Sequence, residues 1–308
     1  MWILGKILIA TSMWLQVSPA DSLLPDYRII QAEGKTRHVV PITEWTATDS
    51  INSYRRLHHH GVAVESELMA YRIYFDKKQT VDVYAKRTPQ IELPTSYWYP
   101  NDSLLAAGYG DDVLRVSGTV GVGSVKHWNG RKHEHITPVV SRTQRVVEST
   151  PDKGVIEMSV KGWQVEGKTV DMTVRYTMLA GHRDMMGEVW LSEPLDSLCT
   201  GVQRIGKDGL HFAKRTPDGL YLGSWGTDWP VNDTVKYAKE TVGLGVFVPQ
   251  EYAGKTVMDK RNNLVLFAPK TYLKFYLTVV AATKEQNPPA TTAEELRDYL
   301  LSAFPDNR

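Results

Sequence analysis

The chain has 308 residues, of which 42% are hydrophobic and 23% charged, a composition that excludes a disordered, collagenous or multi-span membrane protein. Lys+Arg (36) and Asp+Glu (35) nearly cancel, so there is no global charge to attract a nucleic acid. The single cysteine, Cys199, excludes an intramolecular disulfide and any multi-cysteine zinc or iron–sulfur site.

The first 20 residues read as a targeting segment. Lys6 supplies a positive start, residues 7–17 form an apolar run, and small residues precede Asp21. The run is shorter than the roughly 20 residues needed to span a bilayer. It is therefore expected to be a signal peptide cleaved after Ala20, leaving residues 21–308 as one periplasmic or secreted domain with no further membrane segment.

Apolar–polar alternation predicts strands over 62–65, 70–75 and 80–84, then over 137–147, 155–160, 169–179, 187–191, 220–223, 242–248, 263–267 and 273–281. Glycine-bearing turns such as Glu166-Gly167-Lys168 and Asp218-Gly219 separate them. Two helices break this pattern. A short helix or turn is expected within 104–110. A C-terminal helix over 292–304 has Thr292 as cap, Glu295 three residues on, and Leu296, Tyr299, Leu300, Ala303 and Phe304 along one face. Strands without intervening helices predict an all-β antiparallel sandwich.

Several segments are dense in chemistry. His58-His59-His60 precedes a predicted strand; if the run joins that strand, His58 and His60 share a face. His133 and His135 form a second alternating pair. Together His58, His60, His133 and His135 offer a tetrahedral nitrogen site for a divalent metal, the one cofactor the sequence suggests. The alternative roles are acid–base chemistry by His59, His60, His133 and His135, or ordinary local hydrogen bonding. On the 70–75 strand, Arg72 and Tyr74 face the same way, a pairing able to clamp a carboxylate and deliver a proton, or to sit as a plain ion-paired surface. Tyr97 and Trp98, and Trp225, Asp228 and Trp229, combine flat rings with polar neighbours, as sugar-binding loops do; Trp128 and Lys78 extend the same expected surface. Anchoring of the loops to the core is the other use of such rings. No Walker, dinucleotide-binding, His-Glu-x-x-His or Gly-x-Ser-x-Gly sequence is present, so nucleotide-driven chemistry is not expected.

The segments YRRLHHHGVAVE (54–65) and AYRIYFDKKQTVDVY (70–84) resemble a family of exported Bacteroidetes proteins catalogued as a domain of unknown function, whose members sit among enzymes for pectin and other acidic polysaccharides. That family is in turn similar to the galactose-mutarotase-like β-supersandwich, which implies a concave sheet face lined by His, Arg, Tyr and Trp. The resemblance implies a carbohydrate-active protein for acidic, uronic-acid-containing glycans or their oligosaccharides, a lyase being one form it could take. In that form Arg72 would meet the substrate carboxylate, His59 or His60 would take the proton, and Tyr74 would protonate the leaving oxygen. A sugar mutarotase or epimerase, and a non-catalytic glycan-binding accessory protein, are the alternatives.

Overall fold

The computed structural model describes residues 25–33, 36–96 and 99–304. The expected signal peptide and the ring pair Tyr97 and Trp98 lie outside the described residues.

In chain order the strands are β1 Arg28–Glu33, β2 Thr36–Pro41, β3 Glu44–Thr48, β4 Gly61–Glu65, β5 Met69–Tyr74, β6 Val81–Ala85 and β7 Asp111–Asp112. Then follow β8 Lys126–Trp128, β9 His133–Glu134, β10 Ser141–Ser149, β11 Lys153–Val165, β12 Lys168–Leu179 and β13 Met185–Leu191. The last are β14 Leu198–Gln203, β15 Leu210–Arg215, β16 Gly219–Asp228, β17 Glu240–Pro249, β18 Ala253–Met258, β19 Asn262–Phe267 and β20 Tyr272–Ala281. The helices are α1 Asp102–Ala106 and α2 Ala293–Ala303.

Nine strands make one antiparallel sheet in the order β15-β16-β17-β20-β13-β12-β11-β10-β3. A five-stranded sheet (β18-β19-β14-β8-β9) and a four-stranded one (β4-β5-β6-β7) pack against it. One apolar cluster joins all three sheets, drawing Val62, Tyr71 and Ile73 from the smallest, Val202 and Phe267 from the middle one, and Val174, Val189, Leu244 and Leu277 from the largest. The all-β, sandwich-like architecture with a C-terminal helix agrees with the alternation in the sequence.

The alternation is cleanest in β12, where Val170, Met172, Val174, Tyr176 and Met178 are buried and the residues between them are half-buried. One face of that strand meets the core and the other meets solvent. The β11–β12 hairpin turns at Glu166 and Gly167, both with positive φ (52° and 73°), the geometry that gives a two-residue turn the right-handed twist of its strands.

In the four-stranded sheet β4, β5 and β6 are buried on both faces. Met69, Tyr71 and Ile73 of β5 face the core, so by strand geometry Arg72 and Tyr74 point to the opposite side. That second face is covered by chain and is where the polar residues gather.

The C-terminal helix docks on the outer face of the nine-stranded sheet. Thr292 accepts the Glu295 amide at 3.2 Å, and Glu295 reaches back to the Thr291 amide at 2.7 Å, which satisfies donors left open by the first turn. Leu296, Leu300 and Phe304 pack on Tyr221, Phe247 and Tyr276. A Cβ at Gly245 would lie 2.2 Å from a Leu300 methyl, so the bare strand backbone forms the seat of the helix.

Two tests follow from this docking. Leu300→Ala is expected to lower stability by about 2–5 kcal/mol, the cost of truncating a buried leucine. Thr292→Ala should cost about 1 kcal/mol through loss of the cap. Urea unfolding followed by circular dichroism measures both.

Candidate functional site

The outer face of β5, β6 and β7 assembles a charged cluster by strand register alone. Arg72 is directly opposite Asp82, and Tyr84 is directly opposite Asp112. Because side chains alternate, Arg72, Tyr74, Asp82, Tyr84 and Asp112 all emerge on one side. Arg72 is 0% exposed. Its Nε donates to Asp82 Oδ2 at 2.7 Å, one terminal nitrogen donates to Asp112 Oδ2 at 2.9 Å, and the other donates to the Tyr84 hydroxyl. Tyr74 also donates its hydroxyl proton to Asp82. The rings of Tyr74, Tyr84 and Tyr99 lie 5.3, 4.5 and 5.4 Å from the guanidinium carbon. Within this cage only Tyr99, at 38%, is substantially open to solvent.

Two carboxylates so near each other and out of water cannot both ionise freely. Burial, and then the charge of Asp82, push Asp112 well above the usual carboxylate range. Burial likewise raises Tyr74 and Tyr84, so both remain phenols able to donate.

The histidine run borders this cluster, though not as a strand. His58–His60 form a single 3-10 turn, with His59 at φ 56° and His60 at φ 61°. The strand begins only at Gly61, where a Cβ would lie 2.0 Å from the Ile73 carbonyl oxygen. The expected sharing of a face by His58 and His60 is therefore replaced. His58 and His59 stand together, ring centroids 4.0 Å apart, beside the buried Asp26. His60 turns away and stacks flat on Tyr54 at 3.8 Å. Its Nδ1 lies 2.9 Å from the Tyr54 carbonyl oxygen, an acceptor only, so Nδ1 carries the proton and the lone pair is on Nε2. Burial lowers both His59 and His60 to about 4.

A cavity of about 530 Å³ opens beside the stack, lined in part by Asn52, Tyr54, Phe75, Asp76, Lys78 and Arg142. The Lys78 ammonium stands 5.5 Å from the Tyr54 ring centre and 5.4 Å from that of Tyr74, with Asp76 at 3.3 Å. Its side chain is 27% exposed, and the neighbouring Lys77, exposed on the same cavity, adds a second cation.

The remaining expected residues lie in other surroundings. His133 is held by Asp259 at 2.6 Å, the Gly118 carbonyl at 2.8 Å and Asn262 at 3.0 Å, on a separate cavity of about 460 Å³. His135 is half-buried, with its ring 5.7 Å from that of His133. The four-imidazole metal set is thus not assembled, because β9 belongs to the five-stranded sheet and brings its own partners. Among the described residues, the three metal-capable groups whose ligand atoms converge are Asp26, His58 and His59. Trp225, Asp228 and Trp229 line a third cavity of about 680 Å³. There Trp225 packs on the α2 cluster, Asp228 lies 3.7 Å from Arg115, and Lys239 stands over Trp229. These residues do not form a loop: Trp225 and Asp228 are part of β16. Trp128 is buried with Val120, Cys199, Leu264 and Leu266, so it is a core anchor and not a sugar platform.

The chain belongs to the DUF4861 family. The model of that domain of unknown function matches residues 25–304, which span every strand and both helices. Among curated proteins none matches the chain. Of the cluster residues given no role from the sequence, Tyr54, Asp82 and Tyr84 lie inside the two motif segments, while Asp26, Arg28 and Asp112 lie outside them. Asp82 and Tyr84 carry the same period-2 signal as Arg72 and Tyr74, whereas Asp26 and Asp112 give no local sign of where they fold.

The full engagement of Arg72 changes its expected role from clamping a ligand to holding the sheet face together. Arg72→Lys keeps the charge but loses the planar fork. It is expected to lower unfolding stability by about 1.5–3 kcal/mol, the range for hydrogen bonds to charged groups, measured by denaturant titration.

A pH effect follows from His135, which burial lowers to about 4 from its ordinary 6.5. Above pH 6.5 the ring is neutral in folded and unfolded chains alike. As the pH falls, the unfolded chain takes up a proton that the folded chain refuses until about pH 4, so stability drops across that window. The urea midpoint should fall between pH 7 and pH 5, and His135→Gln should lessen that dependence, leaving the share that His59 and His60 carry.

Proposed function

We propose that the protein is an exported carbohydrate-active enzyme that cleaves acidic, pectin-type glycans or their oligosaccharides by β-elimination. The reading is carried by one juxtaposition. An accessible ammonium (Lys78) and an aromatic ring (Tyr54) line the 530 Å³ cavity, and an imidazole of fixed tautomer (His60) is stacked on that ring behind them. A sugar ring offers an apolar C–H face for the aromatic, and a uronate adds a carboxylate for the cation. The resemblance of the two motif segments to a family found among pectin-degrading systems supports the same class.

The chemistry assigns one task to each group. Lys78 pairs with the carboxylate and draws off charge as the proton on C5 becomes acidic. His60 Nε2 takes that proton, breaking the C5–H bond. Its electron pair forms the C4–C5 double bond and expels the C4 oxygen, which takes a proton from Tyr54, the more exposed phenol. Tyr74, which gives its own proton to Asp82, stands behind Tyr54 at 5.4 Å between ring centres. Net charge is restored when His60 returns its proton to Tyr54 through solvent.

The test is incubation with a panel of uronic-acid oligosaccharides and neutral galacto-oligosaccharides, following the ultraviolet absorbance of an unsaturated uronate. Wild type should give that absorbance with acidic substrates alone. His60→Asn, chosen because Asn tolerates positive φ, should lower kcat by about 10²–10⁴-fold, the usual contribution of a general base. Lys78→Ala should mainly raise KM, by about tenfold or more. Binding without an unsaturated product would reject elimination. Equal binding of acidic and neutral sugars would reject the acidic-ligand reading.

A further inference from the structure

The geometry points to a divalent-metal site formed by Asp26, His58 and His59, selective for zinc-like ions over calcium and magnesium. The first observation is spacing. His58 Nδ1 lies 3.6 Å from Asp26 Oδ1, and His59 Nε2 lies 3.7 Å from Asp26 Oδ2. One ligand atom from each of the three residues lies within 4.8 Å of the others. Good N–H···O hydrogen bonds measure about 2.7–3.2 Å, so these imidazoles stand too far out to be simple donors to the carboxylate. Two ligands on a common tetrahedral ion, each about 2.1 Å from it, are separated by roughly 3.4 Å. The gap suits an ion between the groups better than a hydrogen bond.

The second observation is the backbone. Two consecutive non-glycine residues, His59 and His60, occupy the left-handed region. Such conformations persist where the surroundings over-determine them, and they gather at functional sites. Here the reversal of the chain at His59 sets the rings of adjacent residues side by side, which an extended strand would send to opposite faces.

The third is burial. All three side chains are almost wholly out of water, and His59 Nδ1 has no hydrogen-bond partner among the described residues. A buried polar atom in that condition asks for an explanation.

The surroundings set the selectivity. Arg28 donates to both Asp26 oxygens, with Nε to Oδ1 at 2.7 Å, and so orients the carboxylate while offsetting its charge. The Leu93 carbonyl oxygen accepts from His59 Nε2 at 3.3 Å, and an ion at that nitrogen replaces this contact and moves the ring proton to Nδ1. Two imidazole nitrogens and one charge-compensated carboxylate suit borderline ions such as Zn²⁺ or Co²⁺. Calcium requires six to eight oxygens, and magnesium an oxygen octahedron. The other explanation of these contacts is an arginine–aspartate pair with two neutral histidines as neighbours, and the experiment separates the two.

This inference does not rest on the glycan reading, and metal uptake is measured without substrate. The full chain is stripped with a chelator, then titrated with ZnCl₂ by calorimetry and with CoCl₂ by visible absorption. The expected result is one ion per chain with a micromolar or tighter Kd, a cobalt ligand-field spectrum, and no heat with CaCl₂ or MgCl₂. His59→Ala and Asp26→Asn should weaken zinc binding at least 100-fold, while His133→Ala leaves it unchanged. Circular dichroism checks that each variant is folded, and the wild-type cobalt spectrum stands as a readout that needs no variant. Absence of zinc uptake by wild type overturns the site. So does binding that a folded His59→Ala retains, or that His133→Ala abolishes.

Discussion

A single guanidinium buried between two carboxylates sets the terms for the small sheet. Removing Arg72, Asp82 and Asp112 from water carries a penalty of several kcal/mol per ion, which their mutual attraction offsets only if the remaining hydrogen-bonding positions are filled. They are filled by Tyr74 and Tyr84. The arrangement therefore tolerates no slip of β5 against β6, because a one-residue shift would send Asp82 into the apolar core. It also commits the distant Asp112 to pair beside Tyr84, which fastens the chain between β6 and β7 over the outer face.

That covering segment has its own anchor. Lys86 and Glu65 form a buried ion pair, and Glu65 accepts the backbone amides of Glu92 and Leu93. Glu92 in turn accepts the Gly110 amide. Residues 86–112 are thus tied at several points to the end of β4, and the Leu93 carbonyl is delivered to the side of His59. The charged interior of the sheet and the histidine turn are held by the same piece of chain.

How much of this was legible follows from which signals are local. The alternation of β12 and β13, and the cap and apolar face of α2, are written in adjacent residues, and the structure agrees with them. The common face of Arg72 and Tyr74 was legible for the same reason. Strands such as β14 (LCTGVQ) were not, since Thr200 and Gly201 interrupt its apolar residues although the whole strand is buried. The partners of Arg72 were hidden because Asp112 is 40 residues away and meets it only through register. Reading His58-His59-His60 as strand failed because a positive φ leaves little trace when the residue is not glycine, and with it went the expected pairing with His133 and His135.

Gln144 gives the layered arrangement one more property. From β10 of the large sheet, its side-chain oxygen accepts the Val62 amide at 2.9 Å and its nitrogen donates to the Ile73 carbonyl at 2.7 Å. The Val62 amide, which faces Ile73 in the pairing of β4 with β5, therefore also has an acceptor in the opposite layer. Its exchange with solvent hydrogen therefore calls for the two layers to part as well as for the β4–β5 pairing to open. One glutamine ties the pairing of two strands in the small sheet to the spacing between the layers.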